Sequence, residues 1–506
     1  MPPVAHPPRV TRGPQGTPPA RVGASSSAVA GVGGRPRAPG RGKLASMLDS
    51  AGEERFTFAD LFAGIGGFHA VLGALGGRPA FASEIDPGAA SVYRRNWDIP
   101  VHGDIIPLTA ERMDVPGHDV LAAGFPCQPF SKSGFQRGMA ETRGTLFFNI
   151  ARVLEERRPT AILLENVRNL AGPRHTHTWA TITRTLRDLG YLVSTVPTVF
   201  SPHLLPPELG GRPQVRDRVF ITGTYVGPER AWAQSWEDPV VPHAPVQRPD
   251  GRIWDPQLWD LREDLPLLSG AQIPDLDRFR LSATETEWID VWDEFVQIIR
   301  QRDGALPGFP IWADAFVPAP QTEPATPAWK ANFLAKNAEF YRRHRAVLDR
   351  WLTRHNRLAH FPASRRKLEW QAQHAESLWD TIMHLRPSGI RAKRPTYTPA
   401  LVAITQTTIL GDERRRITPR EAARLQGLPD HFSFADQPDA ASYRQMGNGV
   451  NVGAAYYVMR QHLLRTLEDV EARSPALARA VQQAPVSPDT AMAGTQQVMA
   501  APASVA

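Results

Sequence analysis

Short apolar runs recur along residues 56–225, and most of them end in glycine or in an acid. Residues 56–62 alternate apolar and polar at first, then meet Ala63-Gly64-Ile65-Gly66-Gly67-Phe68. Val71, Leu72 and Leu75 follow at helical spacing, so the pattern predicts strand, glycine turn, helix. A second strand over Ala80–Ser83 ends in Glu84, and a third strand-like piece ends at Gly103-Asp104-Ile105. A fourth, Asp119–Ala123, opens into Gly124-Phe125-Pro126-Cys127-Gln128-Pro129-Phe130-Ser131. A fifth, Ala161–Leu164, ends in Glu165-Asn166-Val167. Residues 213–221 alternate as a further strand, which puts Gln214, Arg216 and Arg218 on one face. Strands alternating with helical patterns predict an α/β fold.

Beyond residue 225 the pattern changes. Eleven of the thirteen tryptophans fall between Trp232 and Trp379. Thr284-Glu285-Thr286-Glu287 resembles a capping box, and Trp288, Trp292, Phe295 and Ile299 follow as one helical stripe, which is read as core. Residues 226–390 are therefore read as a separate domain or insertion, with the chain returning to the first domain over 391–465. From 474 to 506 the chain is rich in Ala, Gln, Pro and Ser, which predicts disorder.

Charge alters this picture chiefly by its position. The 506 residues carry a net charge of +7, but seven bases and no acid lie in residues 1–48, so the remainder balances to zero. Nine Pro and seven Gly in residues 1–40 cannot bury a core, so residues 1–50 are expected to be a disordered basic tail. A start at Met47 is a second expectation for this segment. Residues 229–303 hold sixteen acids and eight bases, and residues 330–369 hold eleven bases and three acids. Arg342, Arg343 and Arg345 in the basic stretch, with Arg365, Arg366 and Lys367, are candidates for phosphate contact. The competing reading pairs them with the acidic segment. Arg391, Lys393 and Arg394 form a second basic cluster.

Composition excludes several classes. One cysteine rules out a disulfide framework and a Cys-rich metal site, and it fits a reducing, cytoplasmic compartment. No apolar run reaches the length of a membrane span.

Candidate chemistry gathers where the strands end, since open α/β sheets bind ligands there. The glycine turn lets backbone approach a ligand at a helix N-terminus. Glu84, twenty residues past Gly64, sits where nucleotide folds place the acid that binds ribose hydroxyls. Asp104 fits an acceptor for an adenine amino group and equally a helix cap. Cys127, held between prolines in a loop after a strand, reads as a nucleophile, against the ordinary role of a small buried hydrophobe. Glu165 should share its crevice. Gln128 and Ser131 are candidates to line a DNA side or to bond within the loop.

These residues carry a resemblance. Phe-Ala-Gly-Ile-Gly-Gly, Gly-Phe-Pro-Cys-Gln-Pro-Phe-Ser, Glu-Asn-Val and Gln-x-Arg-x-Arg stand here in the order seen in DNA cytosine-5 methyltransferases. Residues 416–429 resemble the family's late segment, and Tyr443-Arg444-Gln445-Met446-Gly447-Asn448-Gly449-Val450 resembles its closing motif, with Gly449 where the family usually has Ser. The resemblance covers about residues 56–225 and 390–465.

The resemblance implies a Rossmann-like methyltransferase sheet with helices on both faces, plus a smaller target-recognition domain with a helical insertion. It implies that Cys127 adds to C6 of cytosine, that Glu165 bonds N3 and the exocyclic amine, and that Arg216 and Arg218 contact O2 or nearby backbone. Phe62, Gly64, Gly66, Gly67, Glu84, Asp104, Ile105 and Asn448 would hold S-adenosylmethionine. Gln128, Ser131 and Gln214, with Arg342, Arg343 and Arg345, would face DNA. No metal is expected. The implied partner is double-stranded DNA, with a cognate restriction endonuclease as functional companion and a monomeric enzyme. Two alternatives differ in class. An RNA cytosine-5 methyltransferase would typically use two cysteines, and this chain has one. A DNA-binding regulator without catalysis would not need both Cys127 and Glu165.

Overall fold

The computed structural model describes residues 54–126, 146–234, 236–265, 270–320, 322–401, 407–434 and 436–493. The basic tail, Cys127, Gln128, Ser131 and residues 494–506 lie outside the described residues. The first sheet is built from β1 (Thr57–Leu61), β2 (Arg78–Ser83), β3 (Val120–Gly124), β4 (Ala161–Val167), β5 (Tyr191–Val193), β6 (Thr198–Phe200) and β8 (Arg218–Tyr225), with β7 (Gln214–Val215) set apart. Strand order is β2-β1-β3-β4-β8-β5, with β6 also pairing β8. The first four strands run parallel, and β8 is antiparallel to β4, β5 and β6.

The apolar runs are continuous because both faces of this sheet are buried. Phe58, Val120 and Leu163 pack toward α1 (Gly67–Ala74), while Leu121, Ile162 and Leu164 pack toward α3 (Leu146–Arg157) and α4 (Thr176–Asp188). Between these helices, α2 (Pro87–Trp97) follows β2 and is capped by Asp86, whose carboxylate accepts from Ala89 N at 2.9 Å. The chain steps from β1 outward to β2 and then back across to β3. That reversal opens a crevice beyond the strand C-termini.

Two expected strands differ. The piece ending at residues 103–105 makes a single bridge, His102 to Ser83, and then Asp104 caps a one-turn helix, Ile105–Leu108. The expected strand over 213–221 is broken at Arg216-Asp217. Val215 and Gln214 pair with β13 (Thr398–Pro399), while β8 starts at Arg218 beside β4. Gln214, Arg216 and Arg218 therefore do not share a face.

The second sheet has the order β15-β14-β11-β12-β10-β9, from β9 (Ile311–Trp312), β10 (Lys367–Gln371), β11 (Ile382–Arg386), β12 (Gly389–Lys393), β14 (Ile409–Leu410) and β15 (Arg415–Arg416). Two long helices, α5 (Ala283–Asp303) and α6 (Ala328–Arg354), share one apolar core with it. The Trp292, Phe295 and Ile299 stripe is buried there, as its spacing predicts. The helix starts earlier than Thr284, however. Ser282 accepts from Glu285 N at 3.2 Å, and the Glu285 carboxylate accepts from Ser282 N at 3.1 Å.

The expected boundaries at 225 and 390 both move. Val241, Leu261 and Leu265 belong to the core of the first sheet. The second boundary falls inside β12, and the sheet continues to Arg416. Composition marks the tryptophan-rich core of this lobe, but strand pairing from the late segment closes its sheet.

The late segment returns as α7 (Pro419–Leu425), α8 (Asp439–Asn448) and α9 (Val452–Arg465), the last packing on the first sheet. After α10 (Leu467–Arg473), and contrary to the expected disorder from 474, α11 (Pro475–Gln483) follows, with Leu477 and Val481 buried in the main core. Arg212 pairs with Asp489 at 2.6 Å. Ala-rich composition reads as disorder only when apolar periodicity is overlooked, and Leu477-Ala478-Val481 has helical spacing. No helix among the described residues is long and apolar enough to cross a membrane. Leu477→Ala is expected to lower the unfolding free energy by about 2–5 kcal/mol. Urea denaturation checks this, and a disordered tail would give no change.

Candidate active site

The crevice at the strand C-termini is a cleft of about 690 Å³. Its floor is the turn after β1. Phe62 and Gly64 both have φ of 55°, and Gly66 has φ of 92°. A Cβ on Gly66 would lie 1.9 Å from the Trp97 indole nitrogen, which itself donates to Ile65 O at 3.0 Å. A Cβ on Gly67 would lie 2.7 Å from Val450. The glycines are thus required by two close neighbours, one on α2 and one on the late segment.

Glu84 fastens this turn. One carboxylate oxygen accepts from Gly64 N at 2.8 Å and the other from Asp86 N at 2.7 Å. Asp104 takes the capping role, accepting from Ile106 N at 3.0 Å, and it also lines the cleft. Asn448 ends α8 and lines the same cleft. Ile105 lines it with a buried side chain. The expected cofactor residues Phe62, Gly64, Gly67, Glu84, Asp104, Ile105 and Asn448 are therefore brought together, while Gly66 is turned against Trp97.

Glu165 stands at the other end of the cleft, 2.9 Å from the Arg218 guanidinium. Burial raises its carboxyl above the usual range, and the charges of Arg218 and Arg216 oppose that rise. Gly124, its cross-strand partner, leads into the Pro126-Cys127 loop. Asn166 donates from its side chain to Phe125 O at 2.8 Å, tying Phe125 to β4.

Arg216 is placed differently from the expectation. Its guanidinium is buried and donates to the carbonyls of Leu401, Gly447 and Gly449. Those bonds clamp the closing segment on both sides of Asn448. Arg216 does not itself line the cleft but bonds two residues that do, Gly447 and Gly449. Held by three backbone carbonyls, the Arg216 guanidinium is placed to position the segment around Asn448.

The profile of the C-5 cytosine-specific DNA methylases matches residues 56–463. The chain belongs to that family. A type II methyltransferase, M.AluI of Cellulosimicrobium cellulans, is 48% identical over 492 residues, covering 82% of this chain and 93% of the relative. The type II methyltransferase M1.ScrFI of Lactococcus lactis subsp. cremoris is 43% identical over 173 residues, which is 33% of this chain and 41% of the relative. M.HhaI of Haemophilus parahaemolyticus is 38% identical over 164 residues, 32% of this chain and 47% of the relative.

DNA cytosine-5 methylases use S-adenosylmethionine, and the cleft of this methylase fits it. Ile85 and Ile106 are 69% and 51% exposed at its rim, which suits the faces of an adenine ring. Glu84 and Asp104 supply acceptors, and the glycine turn leaves open space at Gly64. Ile85, Ile106, Asn166 and Val450 were not singled out as site residues from the sequence. The signal for the first two was an apolar residue one or two positions past each cleft acid, Glu84 and Asp104.

The candidate DNA contacts scatter. Gln214 is fully buried, so it presents nothing to DNA. Arg342 and Arg343 are exposed on α6, and Arg345 lies 3.5 Å from Asp349. Part of the basic stretch does pair with acids, though of Glu294, Glu287 and Asp314 only the first two come from the acidic segment. Glu294 holds Arg354 and His355, Glu287 holds His360, and Asp314 holds Arg366. Arg365 donates to the Arg386 and Leu385 carbonyls.

Two arginines two residues apart should thus fail differently. Arg216→Met is expected to destabilise the methylase by about 3 kcal/mol or more, because bonds from a charged donor contribute roughly 1.5–3 kcal/mol each. Arg218→Met removes the charge that favours the Glu165 carboxylate. The Glu165 titration then moves to higher pH, and the limb of the kcat–pH profile that follows it moves the same way. Thermal melting and turnover across a pH series separate the two.

Proposed function

We propose that Cys127 is the nucleophile, that Glu165 and Arg218 hold the target base, and that the cleft residues named above hold the methyl donor. The observation that carries this reading is the Glu165–Arg218 pair, with Glu165 directly beside Gly124 at the end of β3, three residues before Cys127. The reaction is methylation of C5 of cytosine in duplex DNA, which this family performs.

C5 of cytosine is a weak nucleophile. Addition of the Cys127 thiolate to C6 places electron density on C5 and N3. Glu165, whose carboxyl is inclined toward protonation by burial, hydrogen-bonds N3 and limits that charge. Arg218 keeps Glu165 oriented and meets O2. S-adenosylmethionine, when bound by the cleft residues, would supply C5 with an electrophilic methyl and leave as a neutral thioether. Loss of the C5 proton restores the double bond and expels the thiolate, so the enzyme ends unchanged. A thiol suits both steps because it adds readily and leaves readily. C6 is inaccessible inside a duplex, so the base must be flipped into the cleft. Asn166 and Arg216 act at one remove, holding Phe125, two residues before Cys127, and the Asn448 segment.

The relatives are named type II methyltransferases, and this supports modification of host DNA against a cognate nuclease. The reading includes action as a cytoplasmic monomer. An RNA substrate and a silent regulator are less well supported, since the long match is to a DNA-modifying relative and Glu165 and Arg218 are intact.

Expression in a methylation-free host, followed by conversion sequencing of its DNA, tests the reaction and yields the site. Cys127→Ala is expected to abolish methylation while cofactor binding persists, and wild-type turnover in that variant would sink the mechanism. Glu165→Gln is expected to lower kcat by roughly 10²–10⁴-fold.

A further inference from the structure

The second sheet has one face committed to the helical core and one face free of it. Leu368, Trp370, Met383, Leu385, Ile390 and Ala392 point into the core. By alternation, Glu369, His384, Arg386, Arg391 and Lys393 stand on the opposite face. Register places them together. His384 is opposite Arg391, Ile382 is opposite Lys393, and Glu369 is beside Arg391 on the parallel strand. Arg386 and Arg391 are diagonal neighbours, about 7–8 Å apart at Cα in such a ladder.

The charges on this face do not balance. Glu369 accepts from Arg391 Nε at 2.6 Å. Among the described residues, neither Arg386 nor Lys393 has an acidic partner. The Lys393 ammonium lies 5.0 Å from the Tyr397 ring instead. His384 bonds Thr408 Oγ1 at 2.9 Å, and burial beside the cations brings it down to about 3, so it is neutral. Burial and mutual repulsion also lower Arg386 and Lys393. Half-buried like charges are unfavourable in the free protein, and a polyanion relieves them.

The face is also connected to the cleft. The chain leaves β12 at Lys393, and Thr398 pairs with Gln214, four residues before Arg218. The Tyr397 ring lies 5.5 Å from His203, which also feels the charges of Asp217 and Lys393. Asp217 in turn pairs with Arg168, just past Glu165-Asn166-Val167.

We propose that this sheet face is the DNA-reading surface of the enzyme, with Arg391, aimed by Glu369, meeting a guanine edge and with Arg386 and Lys393 holding backbone phosphates. Glu369 takes Arg391 Nε, which leaves both terminal amino groups to donate in parallel. Guanine O6 and N7 are two acceptors at that spacing. Arg386 and Lys393 lack such a buttress, which suits phosphate contact that needs charge more than aim. The exposed Arg342 and Arg343 on α6 are then not the principal contacts.

The inference rests on the reading of the protein as a sequence-specific DNA methyltransferase, and one experiment separates the two. Full-length enzyme methylates a library of duplexes with a randomised target region, read by conversion sequencing, and duplex binding is measured across a salt series. Arg391→Ala is expected to lose about 10- to 100-fold in kcat/KM on the preferred site, and to relax preference at one guanine position only. Arg386→Ala and Lys393→Ala are expected to weaken binding evenly across sequences, each lowering the salt slope by about one. Arg391→Lys keeps the charge without the fork and should relax the same position if the alanine variant folds poorly. Unchanged preference in both Arg391 variants would overturn the inference. So would a salt slope that falls in Arg342→Ala/Arg343→Ala and not in Arg386→Ala/Lys393→Ala. A wild type that methylates no duplex would instead overturn the reading of the reaction.

Discussion

A carboxyl group buried at the end of a parallel strand needs a cation, and the rest of this fold is arranged around how Glu165 gets one. The cation comes from the next strand in the sheet, and that strand must run the other way. With β8 antiparallel to β4, Val167 is opposite Arg218, and the Arg218 guanidinium reaches back to Glu165. A parallel neighbour would carry its own C-terminal loop to this edge. The antiparallel strand brings an N-terminal residue there instead. The pair is kept half in competition. Burial favours the neutral acid and the guanidinium favours the carboxylate, which suits the role proposed for it of sharing a proton with a ring nitrogen.

The second constraint is closure over a long chain separation. The glycine turn near residue 66 is completed by residues near 450, with Gly67 lying against Val450 and Arg216 gripping the carbonyls of Gly447 and Gly449. Between these ends the chain builds an entire second sheet with its own tryptophan-rich core. That lobe is joined to the first through the short β7–β13 pair and the returning late segment. Arg216 therefore links three parts at once: the strand before β8, the return from the second lobe at Leu401, and the turn beside Asn448. Helices α10 and α11 add a final layer, burying Val470, Leu477 and Val481 against the main core.

Much of the first lobe was legible because its strands are buried on both faces and end in chemistry. Apolar runs ending at Glu84, Gly124 and Glu165 show both the strand and the functional edge. Legibility fell where backbone decisions depended on distant partners. Residues 103–105 look extended, yet Asp104 turns them into a helix start. Residues 213–221 alternate well, yet the break at Arg216 follows from β13 and from carbonyls more than 180 residues away. The apparent disorder after 474 had the same cause, since the apolar spacing of α11 gains meaning only with a core to receive it.

By itself, the chain order of a few motifs determined the family, the reaction type and the identity of the nucleophile candidate, because that chemistry demands particular residue types in particular loops. Net charge determined almost nothing, since the excess lies in the first 48 residues. Tertiary structure alone decided what each arginine does. Arg216 and Arg218 are equivalent in a linear motif, and the basic stretch at 342–367 looks like a nucleic-acid patch. Only packing shows that Arg216 is buried on carbonyls, that Arg345, Arg354 and Arg366 of the stretch are paired with acids, and that Arg386 and Lys393 remain without an acidic partner among the described residues. A charge acts through its neighbours and its access to water, and neither is written in the order of residues.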